Sequence, residues 1–431
     1  MSFPFNPRPT SRDAQRTIWR LLRWGLVAIL AKLGNKSSSA ASRKQGKGEA
    51  AGRHTETAPP RSGPPSRGGD GGRPTAGLGR GILVVLALLI LFLAAYAVYV
   101  NRHPPAMVGD GDYLFCFWNT ENFFDDKVNG WNNEPDRDYD RWFAQERDAF
   151  AQKVKNLTEV LAPLNDGMGP DILALAEVEA ESRSAEALVE SLNQNIRAGT
   201  PPYKSILKLN PHGGRNIVTA IITRLPVEAD RTQLIGRRLR ILEGHIDVGG
   251  QDLAILATHW TSRISDERGD GRARYADQTY GRFRAMYKSN PDVSLLVCGD
   301  FNDNPDDPSV TDHLHATGDL AHVRADGDPP LLYDMFANLW AENKGGREVG
   351  THFYKGRAYI FDHIVVSPGM LNGKGGWQCR TETAEIVKHR FTDRNGHPYP
   401  FKIPKGNPSL IERGTSDHLP VTVRLSLTRT N

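Results

Sequence analysis

Residues 297–305 read VCGDFNDNP, and the run from Val293 to Leu296 before them completes an apolar segment suited to a buried strand. The segment stops abruptly in carboxylates and amides. A polar turn explains such a stop at any single strand, because Asn and Asp favour turns. The same stop recurs along the chain, however. YLFCFW (113–118) ends at Asn119, followed by Thr120 and Glu121. DILALA (171–176) ends at Glu177, and LAILATH (253–259) ends at His259. AYIF (358–361) runs into Asp362 and His363, and Thr415-Ser416-Asp417-His418 leads into LPVTVRL (419–425). Six strand edges carrying ligand-type side chains point to one shared site.

The spaces between these runs set the fold class. Trp142, Phe143, Phe150, Val154, Leu157 and Leu161 recur at helical spacing through Leu164, and helices are also expected over Ala185–Leu192 and Ala273–Lys288. Short strands are expected at 217–222, 239–248, 253–258, 293–298, 359–366 and 419–425, some closely connected and others separated by helices. That mixture predicts an α/β domain with mixed or antiparallel sheets, not a purely parallel doubly wound one.

The formal charge of +4 conceals an asymmetry. Residues 1–104 hold 16 Lys and Arg against 4 Asp and Glu, which leaves 38 basic and 46 acidic residues for the rest. The C-terminal body is therefore acidic, and bulk charge gives no argument for non-specific nucleic-acid binding. Three cysteines, Cys116, Cys298 and Cys379, are too few for a disulfide framework, and no Cys/His spacing suggests zinc.

Gly81 to Val100 is uncharged and flanked by Arg80 and Arg102. At 1.5 Å per residue such a run matches the roughly 30 Å core of a bilayer, so residues 81–100 are expected to form a transmembrane helix. Residues 1–34 include the basic amphipathic stretch Ile18–Leu33, which is expected to lie on the membrane, with a second span as the alternative. Residues 35–80 are rich in Gly, Ser, Pro and basic side chains and are expected to be disordered. Their positive charge places them on the cytoplasmic side. The domain at 105–431 then lies on the non-cytoplasmic side of a cell membrane, single-pass.

Glu177, Asp300 and Asp417 offer hard carboxylate oxygens, and Asn119 and Asn302 add neutral carbonyls. That donor set suits Mg²⁺, with Mn²⁺ or Ca²⁺ as alternatives. His259 and His418 add groups that handle protons or contact phosphate near neutral pH, and Asp362 would fix and charge a histidine beside it. These are the parts for hydrolysing a phosphate ester. Asp136, Asp138 and Asp140 alternate like part of a Ca²⁺ loop, but Arg141 stands where a turn-making Gly is wanted, and a solvated loop is expected. Residues 370–413 read as an insertion that lines the substrate groove or covers a sheet edge.

The ordered series WNTENFFDD, DILALAEVE, THWTSR, GDFNDNP, IFDHIVVS and SDHLPV resembles the endonuclease/exonuclease/phosphatase superfamily, the DNase I-like fold, over roughly residues 110–427. The resemblance implies a four-layer α/β sandwich with two central mixed or antiparallel sheets, preceded here by the membrane helix. It implies Glu177 as the metal-binding glutamate, Asn119 and Asp417 on the metal side, and Glu121 close to the metal. Asp300 and Asn302 would orient the attacking water and hold the phosphate. His418 would pair with Asp362, and His259 would contact phosphate. N-x-E-N-x-F-D (119–125) and H-x-x-S-R (259–263) resemble the bacterial nuclease-like branch, with Arg215 and Arg263 as phosphate clamps or surface ion pairs. The implied function is a membrane-anchored, divalent-metal-dependent phosphodiesterase, most naturally a nuclease acting on nucleic acid. Its rivals are a phospholipid or inositol-phosphate hydrolase and a non-catalytic binding module. No protein partner is inferable.

Overall fold

Strand β1 (Asp112–Phe123) is apolar at successive positions because both its faces are covered. Phe115 and Phe117 join a core shared by two sheets, while Cys116 and Trp118 join a second core roofed by helices. In β2 (Ile172–Glu179) the alternation is the same, with Ile172, Ala174 and Ala176 inward and Leu173 and Leu175 under the helices. A strand buried on both faces reads as a continuous apolar run. The computed structural model describes residues 111–325, 327–403 and 413–428. The membrane helix expected at 81–100, the amphipathic stretch and the linker all lie outside them. Among the described residues, no helix is long and apolar enough to cross a membrane.

The first sheet adds β3 (Ser205–Lys208) and β4 (Ile217–Thr223). The second sheet contains β5 (Gln233–Leu234), β6 (Ile241–Val248), β7 (Gln251–His259), β8 (Leu295–Asp300), β9 (Ala316–Thr317) and β10 (Leu332–Asp334). A separate hairpin is formed by β11 (His352–Tyr354) and β12 (Arg357–Tyr359), and β13 (Asp362–Val366) returns to the second sheet. The chain then closes the first sheet with β14 (Trp377–Ile386) and β15 (Val421–Leu427). The orders are β14-β15-β1-β2-β4-β3 and β5-β6-β7-β8-β13-β10-β9. Both sheets are mixed, as the alternation of strands and helices predicts.

Helices α1 (Asp136–Gln145), α2 (Arg147–Leu161) and α3 (Ser184–Asn195) cover the first sheet, and α4 (Asp270–Ser289) covers the second. Helix, sheet, sheet and helix make the four layers. Two expectations need correction. Residues 136–140 are not a solvated loop: they open α1, and Asp136 and Asp140 are buried. Asp136 accepts from Arg215 and the Asn216 N–H, and Asp140 accepts the Asn129 N–H at 2.8 Å, so both carboxylates pin loops. The segment 370–413 is likewise more than an insertion, since β14 within it pairs antiparallel with β15.

One topological fact positions everything that follows. Each sheet holds one central parallel pair, β1 with β2 and β7 with β8. Parallel pairing brings both carboxyl ends to the same edge, the usual place for ligands in α/β sheets. Asn119 is thereby level with Ala176, next to Glu177, and His259 is level with Asp300. Gly299 makes the second register tight. A Cβ there would lie 2.2 Å from the main-chain oxygen of Thr258. Gly299→Ala is therefore expected to cost about 3 kcal/mol through overpacking, measured by denaturant unfolding; an unchanged midpoint would show that the strands are not so closely set.

Candidate active site

The strand ends meet in a cleft of about 470 Å³ lined by Glu121, Asn122, Glu177, His259, Asp300, Asn302, Asp417 and His418, with Arg263, His352, Tyr354, Tyr359 and Phe361 along its walls. Local backbone turns aim the polar groups. Glu121, Asn122, Glu177 and Asn302 all adopt left-handed φ values, between 51° and 59°. Non-glycine residues take that conformation at an energetic cost, and it is kept where the surroundings demand it. Here it occurs just past the end of β8 and within the bulged pairing of β1 with β2, turning side chains off the strand direction into the cleft.

Asp300 lies at the centre. Its Oδ2 accepts from Asn119 Nδ2 at 2.9 Å and is 3.7 Å from both His259 Nε2 and His418 Nε2, while Oδ1 accepts the Asn302 N–H at 2.9 Å. Burial, partly offset by the positive charge of His418, pushes Asp300 up to about 7. His418 Nδ1 is 2.7 Å from Asp362 Oδ2. Burial alone would discharge His418, but Asp362 and then Asp300 hold it protonated, well above the usual histidine range. Its main chain is fixed as well. Trp118 Nε1 donates to His418 O at 2.9 Å, and Ser416 Oγ accepts the His418 N–H at 3.0 Å. His259 differs in charge. Burial, then Arg240, lowers it to about 3, so its 3.7 Å approach to Glu177 and Asp300 is that of a neutral ring and not an ion pair.

The cation-side residues fit a hard metal ion. Glu177 accepts the Asn122 N–H at 2.8 Å on one oxygen and lies 3.5 Å from Asn119 Nδ2 with the other. Glu121 is buried, accepts the Phe401 N–H at 2.7 Å and leaves its second oxygen without a hydrogen-bond partner. Burial, then the charge of Asp417, pushes Glu121 up to about 8. Crowded acids, and a buried carboxylate oxygen met only by Lys402 Nζ at 3.9 Å, are what a divalent cation would relieve. Glu177, Glu121 and Asp417 are the residues that would hold it. Asn119 turns its amide nitrogen to the carboxylates while its oxygen accepts the Glu121 N–H at 3.0 Å, so as folded it braces the acids. His352 and Asp417 also come within 4.8 Å of His418, but a charged imidazolium has no lone pair to offer a cation.

The two arginines divide. Arg263 lines the cleft, but its guanidinium donates to Asn302 O at 2.8 Å, pairs with Asp303 and Asp307, and lies over the Phe361 ring at 4.9 Å. Arg215 does not line the cleft. It is held by Asp136 at 2.7 Å and reaches Asn122 Oδ1, behind the turn that presents Glu177's partner. Lys153 was not anticipated. It is fully buried in α2, and its ammonium donates to Glu121 O at 3.1 Å and to Thr415 O, tying the first strand end to the last. A lysine one position before Val154, in an otherwise core-facing stripe, was the available signal.

A stability measurement tests this electrostatic picture. In the unfolded chain Asp300 titrates near 3.8 and Glu121 near 4.5, against about 7 and about 8 when folded. The protonated acids favour the folded state below the lower values, and that contribution is lost as pH rises to 7–8. Metal-free protein is expected to lose stability across that window. Added Mg²⁺ should raise the melting temperature more at pH 8 than at pH 5, and an equal shift at both would contradict the acid cluster as the cation's seat.

Chemically, this edge can hydrolyse a phosphate ester. The chain belongs to the endonuclease/exonuclease/phosphatase family, whose model matches residues 114–427. Among curated proteins none matches it. Solved structures similar to it include D. rerio TDP2 complexed with single strand DNA product, 14% identical, covering 74% of this chain and 100% of that one at a TM-score of 0.42. The human Nocturnin catalytic domain with bound sulfate anion is 15% identical, covering 74% and 96% at 0.39. A Bacteroides thetaiotaomicron mannosyl-6-phosphatase is 14% identical, covering 73% and 99% at 0.40.

Proposed function

We propose that this protein is a divalent-cation-dependent phosphodiesterase acting on nucleic acid. The observation that carries the reading is Asp300: a buried carboxylate beside an amide donor, a neutral imidazole and a charged one, with Glu177 on the far side of the same amide. Ionised, Asp300 accepts a proton from a water aimed at phosphorus. His418, kept charged by Asp362, presents its Nε2 proton to an oxygen on which charge develops. Asn302 and neutral His259 border the same space and can donate to the phosphate. A hard divalent cation, when bound, would neutralise phosphate charge and favour the leaving oxygen. Nucleic acid is favoured by the N-x-E-N-x-F-D and H-x-x-S-R patterns, which resemble the bacterial nuclease-like branch.

Cleavage of plasmid and oligonucleotides should require Mg²⁺ or Mn²⁺, and EDTA should stop it. Glu177→Gln is expected to lower it by about 10²-fold, the scale of losing a charge-stabilising group. Cleavage undiminished by EDTA would reject the metal requirement. A phospholipid or inositol-phosphate substrate is the rival, favoured by exposed Ile264 and Tyr354 at the cleft. Hydrolysis of lipid without hydrolysis of nucleic acid would decide for it. We further propose that residues 81–100 anchor the chain as a single pass, with the N-terminal region cytoplasmic and the domain outside. The uncharged span and its basic flank support this, and external protease shaving of intact cells tests it.

A further inference from the structure

We infer that Arg237, Arg238 and Arg240, with Arg274 of α4, form a track for the sugar–phosphate backbone of a nucleic acid leaving the cleft past His259. The inference rests on the nuclease reading and extends it to how a long substrate is held. Residues 105–431 carry more acidic than basic side chains, and most arginines near the site are already matched: Arg215 with Asp136, Arg263 with Asp303, Arg272 with Asp303, Arg282 with Glu243. Among the described residues, the four arginines of the track make no ion pair.

They are nevertheless built into the fold next to the catalytic edge. Arg240 Nε donates to His259 O at 3.3 Å, and its N–H donates to Tyr275 Oη on α4 at 3.1 Å. Arg274, one residue before that tyrosine, donates to Arg237 O at 3.2 Å. Buried Leu239 plugs the loop into the core beneath them. Arg238 takes a left-handed φ of 59° and packs so closely on Gly213 that a Cβ there would lie 2.6 Å from its own. Arg237 and Arg238 are exposed.

Like charges concentrated in one ordered loop repel, and without an anion opposite them the arrangement is unfavourable. Guanidinium groups match phosphate in geometry as well as charge. From Arg237 to Arg240 the chain spans at most about 10 Å, a reach of about three base steps along a duplex axis at 3.4 Å each. None of the large apolar side chains exposed among the described residues belongs to this loop, whereas a surface docking on lipid combines basic with apolar groups.

The test compares wild-type chain with Arg237→Gln/Arg238→Gln and, separately, Arg274→Gln. Substrates are an oligonucleotide and the small diester bis(p-nitrophenyl) phosphate, across a salt series. The expected result for the double variant is a roughly tenfold higher KM for the oligonucleotide at low salt and a log–log salt slope shallower by about two. Its kcat, and its rate on the small diester, should match wild type. Arg274→Gln should flatten the slope by about one. Unchanged oligonucleotide KM and slope would overturn the track, and so would an equal loss on both substrates. Loss of binding to phosphatidylserine vesicles with oligonucleotide KM intact would reassign the loop to a lipid surface. Wild-type protein that cleaves the small diester but no nucleic acid would instead sink the nuclease reading itself.

Discussion

Asp300→Asn is expected to reduce turnover by about 10³-fold, the scale of a lost general base, while leaving the protein folded. Asparagine keeps the shape, and its single oxygen still accepts from one of the two donors, Asn119 Nδ2 or the Asn302 N–H, that Asp300 satisfies together. What it cannot do is take a proton from water. The stability readout separates this from simple damage. Because burial raises the Asp300 carboxyl to about 7, ionising it at pH 8 works against folding, so metal-free Asp300→Asn should be as stable as wild type there, or more so. Turnover close to wild type would remove Asp300 from the chemistry. Lost turnover together with a lost fold would leave the same residue as a structural brace.

Asp362→Asn should be at least as severe, about 10³- to 10⁴-fold, by the logic of a carboxylate that fixes both tautomer and charge of its histidine. Asp362 is fully buried, with His418 Nδ1 2.7 Å away. Asparagine there offers no negative charge to an imidazolium. The sign of the pH effect follows. Asp362 and Asp300 raise His418, so removing one of them lowers it, and the charged form disappears at a lower pH than before. The alkaline limb of the pH–rate profile should move toward neutrality. An unmoved limb would mean that His418 need not be charged during turnover.

Much of the site was legible because strand ends are marked in sequence: a two-face-buried strand is a solid apolar run, and a polar residue closing it must go somewhere. Asn119, Glu177, His259, Asp300 and His418 were found on that ground, and the parallel pairs of β1 with β2 and β7 with β8 explain why they meet. The edge strand β14 was not legible. Its residues alternate between buried and exposed, and TETAEI carries none of the aliphatic density of a central strand. The β11–β12 hairpin, which brings His352, Tyr354 and Tyr359 to the cleft, is three residues a side and has no repeat long enough to read. Asp136 reads as part of a solvated loop and Arg215 as a phosphate clamp or surface ion pair, because a pairing 79 residues apart leaves no local trace.

The last strand is threaded between β1 and β14, in the interior of its sheet. His418 and the Thr415 carbonyl that receives Lys153 arrive only with it. A nascent polypeptide halted before residue 413 already carries Asn119, Glu177, His259, Asp300 and Asp362, yet its first sheet is split and its imidazolium is missing. A copy truncated before residue 413 is therefore expected to be inactive, and activity to appear only when the final segment slots into place between β14 and β1.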